Sequence, residues 1–487
     1  MVLLWALCTA TMCFHLVMAV DRTKFRTCAQ TSFCRRHRTN KSAVLYNYKV
    51  LPGSVHFHLP EEPIQPPPQE AATAGAGTGD FWSKFSQRIL GGPNDNNNSN
   101  NKLDPHFRGP GPTLTGVLTN AAAQTSTSQK EQLQFTVHAM ADGLIRLRIT
   151  EIYGTIGTAY ETARVTYDHL VLEAGGMKAA THAQWIPPGG MELKQYLTDD
   201  QDVNNFMGLE YGDSFKTNNM MLLVRMESFA LFLYRQSDIA AGPILSIADK
   251  EMMHFEIRRL KDGENENNVI ADEGTDSAED SAEDSAGTTE EQEVNPEKKE
   301  EKEIVGYWED GLAIYADGTR EEKEEVKEDA LDHRKLSESD LDRDGMWEEK
   351  FSSHPDTKPH GPMSVGMDIS FPNSNHIFGL PEHASSTVLK TTQGDEAHYT
   401  EPFRLYNLDV FEYELDESMA LYGHVPLIVS QSMTTGTSGV FWFNPSETFV
   451  DVMKDGDTSM STHWISETGI MDIVLIPGPT PADFYRQ

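Results

Sequence analysis

Positive charge, cysteine and long apolar runs are all scarce in this sequence, and each scarcity removes a class of function. Lysine and arginine number 40 against 75 aspartates and glutamates, a formal net charge of −35 over 487 residues. Like charges repel a phosphate backbone, so no nucleic-acid partner is expected. The one notable apolar run lies between Met1 and Ala19 and is too short to cross a bilayer. No later stretch is long enough either, so no membrane span is expected. Of four cysteines, Cys8 and Cys13 fall within that first run. Only Cys28 and Cys34 remain, and zinc would need two more soft ligands nearby. Redox catalysis would more typically use C-x-x-C. An H-E-x-x-H helix, a G-x-S-x-G elbow and a phosphate-cradling glycine loop are all missing. His376 and His383 flank a stretch containing Gly379 and Pro381, which argues against a shared helix and a metal site. Neither a metal nor a cofactor is expected.

What is present points to the secretory pathway. Residues 1–19 read as a signal peptide, with Val17 and Ala19 at a small-residue cleavage site, although the basic leading region is missing. Polar sequence starts abruptly at Asp21. In an oxidising compartment the even pair Cys28 and Cys34 reads as one small disulfide loop. Asn40-Lys41-Ser42 and Asn97-Asn98-Ser99 are glycosylation sequons, which makes Asn40 and Asn97 candidate acceptors.

The acidity is concentrated. Between Asp262 and Lys350 stand 33 acidic and 10 basic residues, a net −23 of the total −35. This stretch, residues 261–350, is predicted to be a disordered or partly helical insertion, with acid–base pairs at helical spacing over 320–336. Tyr307, Trp308 and Tyr315 are unusual for pure disorder and could dock locally. Asp340-x-Asp342-x-Asp344-Gly345 looks like half of an EF-hand calcium loop, but Phe351 stands where a bidentate glutamate belongs. Coincidence within an acidic stretch is the better reading.

On either side the pattern is β. Residues 20–59 form an opening segment with the disulfide, and 60–115 is a low-complexity loop rich in Pro and then Asn. Over 116–260, Leu133, Phe135 and Val137 alternate with polar residues. Asp142-Gly143 then marks a turn, and Ile145, Leu147 and Ile149 continue, which is a strong hairpin signal. Further strands are predicted over 164–173, 221–225, 229–235 and 253–259. The β pattern resumes in 351–487, with strands predicted at 365–371, 410–415, 441–443 and 470–476. Close β runs without amphipathic helices between them imply an all-β sandwich interrupted by the insertion.

Several segments go further. Val20-Asp21-Arg22 through Cys34-Arg35-Arg36, Gly361 to Asp368, and His376-Ile377-Phe378-Gly379-Leu380-Pro381-Glu382-His383-Ala384 resemble the α-glucosidases of glycoside hydrolase family thirty-one, within it the glucosidase II α-subunit family. So do Pro402 to Phe411, Met419-Ala420-Leu421-Tyr422-Gly423 and Trp464 to Gly469. The resemblance implies a mutarotase-like β-sandwich placed ahead of a catalytic (β/α)8 barrel. It also implies retaining hydrolysis of α-1,3-linked glucose on a glucosylated high-mannose N-glycan in the endoplasmic-reticulum lumen. Retaining enzymes use one carboxylate as nucleophile and another as acid/base. In this family both lie on the barrel, in part within a W-x-D-M-N-E type motif that is missing here. The chain is therefore expected to end, at Gln487, before the barrel begins, and no catalytic residue is assigned. By the same resemblance, Asp409 and Phe411 are the candidate substrate-binding residues. A carboxylate accepts hydrogen bonds from vicinal hydroxyls, and an aromatic face suits a sugar ring. Without a K-D-E-L signal, retention would need a partner, and the family's glucosidase II β subunit supplies one. The alternative reading is a non-catalytic, lectin-like carbohydrate-binding protein.

Overall fold

The computed structural model describes residues 25–39, 47–59, 111–120, 132–152, 179–213, 219–257, 304–307, 313–315, 345, 347–351, 354–358, 361–410 and 413–487. Residues 1–19, Asn40, Asn97, Phe411, the run 164–173 and most of the acidic stretch lie outside the described residues.

Before the insertion the strands are β1 (Tyr48–Val50), β2 (His56–His58), β3 (Thr113–Asn120), β4 (Gln132–Ala139), β5 (Ile145–Glu151), β6 (His182–Ile186), β7 (Phe206–Gly212), β8 (Met220–Arg225), β9 (Ala230–Arg235), β10 (Leu245–Ile247) and β11 (His254–Phe255). Then come two short hairpins, β12 (Ile304–Tyr307) with β13 (Ala313–Tyr315) and β14 (Glu348–Phe351) with β15 (His354–Thr357). After them follow β16 (Val365–Phe371), β17 (His376–Gly379), β18 (Phe403–Leu405), β19 (Leu427–Ser432), β20 (Gly436–Trp442), β21 (Thr448–Asp455), β22 (Ser459–Ser466) and β23 (Met471–Ile476).

Two large sheets result. One runs β1-β3-β4-β5-β23-β20-β19-β17, with β2 also on β3. The other runs β18-β21-β22-β16-β10-β9-β8-β7-β6, with β11 also on β16. Every ladder among the described strands is antiparallel, and no (β/α)8 barrel lies among the described residues. The expected all-β sandwich is the observed architecture. Strands from before and after the insertion share both sheets, through the β5–β23 and β10–β16 ladders.

Alternation explains the layers. Phe135 pairs with Ile149, Val137 with Leu147 and Ala139 with Ile145, all pointing into one core. The turn between β4 and β5 uses Asp142 at φ 59° and Gly143 at φ 86°, a left-handed pair that aspartate and glycine tolerate. Across the sandwich, the fully buried Trp442 of β20 and Trp464 of β22 stack at 5.4 Å. Their indole N–H groups donate to Ser466 Oγ (3.0 Å) and Thr462 Oγ1 (2.9 Å), so neither polar tip is stranded in the core. The outer face of the first sheet carries a buried ion pair. Arg146 of β5 donates to both oxygens of Asp472 on β23 at 2.8 and 2.7 Å, and Arg148 Nε lies 3.5 Å away.

The opening segment is more ordered than its mixed composition suggests. Cys28 and Cys34 form the expected disulfide and are both buried. The bridge introduces helix α1 (Ser32–Thr39), whose side chains grip the second sheet. Phe33 packs on Phe449, Arg36 forks onto Glu256 at 3.0 Å, and Arg38 Nε reaches the fully buried Asp451 at 3.0 Å. On the other side, Glu349 of β14 accepts from Ser32 N (2.7 Å) and Lys358 Nζ (2.7 Å) and also pairs with Arg26. The segment is thus a strap held between the sandwich and the β14–β15 hairpin. Replacing both cysteines by serine is expected to lower the unfolding free energy by about 2 kcal/mol, the chain entropy of so short a loop. Urea titration measures it, and an unchanged midpoint would mean that the helix contacts alone fix the strap.

Candidate functional site

The segments that matched the family motif are distant in sequence and adjacent in space. β18 leaves its sheet after Leu405, and the described residues before β19, 406–410 and 413–426, form loop without a named strand or helix. The alternation over 410–415 suggests a strand there, but the described residues of that run join no ladder. Val410 is buried and Leu415 is 81 % exposed. Val410 O accepts from Tyr422 Oη of the same loop rather than from a strand, so alternation alone misled.

Three stretches knit the loop together. Leu408 N donates to Leu421 O at 2.7 Å, which joins its outgoing and returning halves. Leu421 N donates to Glu382 O (3.3 Å), Glu382 N to Gly423 O (3.0 Å), and Gly423 N to Glu382 Oε2 (3.1 Å). Val425 N reaches Pro381 O at 2.9 Å. His383 bridges two backbones, with Nδ1 on Leu380 O and Nε2 on Arg404 O, and burial holds its imidazole below the usual value. The turn beneath needs its glycine. Gly379 sits at φ 124°, and a Cβ there would meet Leu427 O at 2.1 Å.

Asp409 stands exposed on the outgoing half. Tyr422 donates its hydroxyl to the carbonyl of Val410, the next residue, and its ring is 53 % exposed. Tyr406, over which the Arg404 guanidinium lies at 4.7 Å, and Tyr413 are also exposed. The loop therefore presents the Asp409 carboxylate on the same stretch of chain as exposed aromatic rings, a combination that can accept hydroxyl hydrogen bonds and stack on a pyranose face. Phe411, the other candidate from the sequence, lies outside the described residues. Behind the loop a cavity of about 120 Å³ is lined by Phe25, Arg26, Arg404, Leu408, Tyr413 and Phe449 among others, so the disulfide strap forms one of its walls. Among the described residues no group of three or more His, Cys, Asp or Glu is arranged to hold a metal ion. Asp340, Asp342 and Asp344 are not described, while Gly345 O accepts from Ser32 Oγ and Phe351 lies under Arg26. Glu382, His383 and Tyr422 stood within the matched motifs, but nothing in their spacing assigned them a role.

Residues 243–451 match the family model of the glycosyl hydrolase 31 N-terminal galactose mutarotase-like domain. The chain is similar to neutral alpha-glucosidase AB of Dictyostelium discoideum, 54 % identical over 148 residues, which cover 30 % of this chain and 15 % of that protein. The human protein of the same name is 43 % identical over 167 residues, covering 31 % and 17 %. Among solved structures, a glucosidase II alpha subunit bound to alpha3-Glc2 superposes with a TM-score of 0.56 at 23 % identity, covering 94 % of this chain and 36 % of that one. An endoplasmic-reticulum glucosidase II heterodimer of catalytic subunit and regulatory-subunit binding domain superposes at 0.55 and 22 %, with the same coverage. The structural likeness shows the fold, and the chain spans a minor part of each relative's length. Among the described residues no helix is long and apolar enough to cross a membrane.

Proposed function

We propose that this chain is the sugar-recognising, non-catalytic N-terminal region of an α-glucosidase of the glucosidase II type. In this reading it works in the endoplasmic-reticulum lumen, delivered there by residues 1–19 and held there by a glucosidase II β subunit. It contributes to trimming α-1,3-linked glucose from a glucosylated high-mannose N-glycan. The sandwich of 116–260 and 351–487 is the scaffold, residues 261–350 are its acidic insertion, and Asn40 and Asn97 are glycan acceptors. Asp409 receives sugar hydroxyls and Phe411 packs on the ring beside it. The nucleophile and acid/base carboxylates required for retention are not among the residues assigned here.

The observation that carries this reading is the exposed Asp409 on a loop held in place by the Leu380–Ala384 and Met419–Gly423 motifs. Titrating the whole chain with an α-1,3-linked glucose disaccharide should give saturable binding of roughly millimolar strength, about −4 kcal/mol. Asp409→Ala should remove it. No saturation by the wild type, or full binding by the variant, would overturn the reading. Saturation without any turnover of an aryl α-glucoside fits both this reading and a lectin-like protein. Tighter binding after adding the β subunit would favour the former.

A further inference from the structure

The returning half of the loop carries an unusual convergence of partners on one residue. Asp416 Oδ1 accepts from Tyr399 Oη at 2.6 Å and pairs with Lys390 Nζ, while Oδ2 lies 3.3 Å from His398 Nε2. Its backbone N–H donates to Ala384 O at 2.5 Å. Tyr399, 7 % exposed, is braced in turn by Ser385 Oγ at 2.7 Å. Asp416 also stands at φ 64°, a left-handed conformation that aspartate tolerates and that turns the chain at this point. Lys390 and Tyr399 hold its carboxyl far below the usual carboxylate range, so the charge persists at any physiological pH. The side chain is nonetheless half exposed, and ion pairs in water add little to global stability. A cluster so elaborate at the surface is better explained by what it orders.

We propose that Asp416 is the positioning residue of the recognition loop: it clasps the returning half to residues 385–399 and so holds Asp409 in its binding position before a sugar arrives. The inference rests on the sugar-recognition reading above. Transmission runs along hydrogen bonds between described residues. From Asp416 the chain is tied down by Ser418 Oγ on Glu401 O (3.0 Å) and by the His383–Ala420 bridge. Leu421 then takes the amide of Leu408, Tyr422 takes the carbonyl of Val410, and His424 pairs with Asn407 Oδ1 at 2.7 Å. These contacts bracket Asp409 on both sides. A loop already ordered need not lose that freedom on binding, and each immobilised flexible group otherwise weakens affinity.

The test uses the full chain, with Asp416→Asn and Lys390→Met made singly and together. Amide hydrogen exchange should quicken about tenfold at Leu408 and Leu421 while core strands exchange as in the wild type, because local opening is independent of the global equilibrium. The urea midpoint should stay put, which separates positioning from a merely structural role. Affinity for the α-1,3-linked disaccharide should fall about fivefold to tenfold, the scale of a few lost ordering terms. The double variant should be no worse than either single one, since both break the same clasp. Unchanged exchange at Leu408 and Leu421 overturns the clasp, and so does unchanged affinity despite quickened exchange. If the wild type binds no sugar, the recognition reading fails, while the exchange measurement still decides whether the clasp orders the loop.

Discussion

Asp472→Ala is expected to lower the unfolding free energy by about 3–5 kcal/mol, the usual result of breaking a buried ion pair from one side. Asp472 is fully buried in the middle of β23 and receives both Arg146 contacts at under 3 Å, 2.8 and 2.7 Å. Arg148, directly opposite in the ladder, is buried as well. Removing the carboxylate takes a buried, charged partner from two buried guanidinium groups at once, which costs more than the lost attraction alone. The damage would fall where the early strand β5 meets the last strand. Chemical denaturation gives the number, and a loss under about 1 kcal/mol would mean that water or other partners satisfy the arginines.

The second large effect is on the pH dependence of stability. His463, sealed behind α1, is pushed down to about 3 by burial, with His37 adding to the effect. His37 stacks on His254 at 3.5 Å, and burial depresses both of these rings too. A histidine whose folded value is depressed stabilises the protein fully above its unfolded value of 6.5, and loses that contribution as pH falls. From pH 7 to 5, His463 alone should cost about 2 kcal/mol. Asp368 works the other way. Burial and the neighbouring Asp249 raise it to about 7 from 3.8, so the fold gains stability as this acid protonates on going from pH 7 toward 4. Over the same interval the gain is about 2 kcal/mol. Because His37 and His254 add to the loss on the histidine side, the wild type should lose stability from pH 7 to 5 despite the gain at Asp368. His463→Gln should become relatively more stable toward pH 5 and Asp368→Asn relatively less, and the two should diverge by about 4 kcal/mol across that interval. Urea midpoints at pH 7, 6 and 5 test it. Parallel curves for the two variants would mean that neither group changes its protonation on folding.

Local pairing was the most legible part of the sequence. The β4–β5 hairpin announces itself through period-two alternation around Asp142-Gly143, and β16 through the run Val365–Phe371. Such signals depend on neighbours in the chain. The sheet order does not, because nothing local to Ile473 says that it will lie beside Leu147. The strap was illegible for a similar reason. In sequence Arg36, His37 and Arg38 are only basic residues in a mixed segment, and the distant Glu256 and Asp451 turn them into buried anchors. At the candidate site, Asp409 came from a family resemblance rather than from its spacing. Asp416 carried no signal at all, since its partners Lys390, His398 and Tyr399 stand among residues that look like an ordinary polar loop.

The β5–β23 junction also sets a schedule for synthesis. Arg146 and its partner Asp472 are 326 residues apart. At a ribosomal pace of 5–20 residues per second, an interval on the order of 15–65 s separates their emergence. During that wait β5 presents an open edge, and the side chains that will meet β19, β20 and β23 have nothing to pack on. The disulfide faces the same delay in another form. Cys28 and Cys34 are six residues apart and available early, yet the surface that receives Phe33 and Arg38 is built from β21 and β22. Nascent chains of this protein should therefore be prominent clients of edge-binding chaperones until β21 to β23 emerge, holding a closed disulfide loop with nowhere yet to dock it.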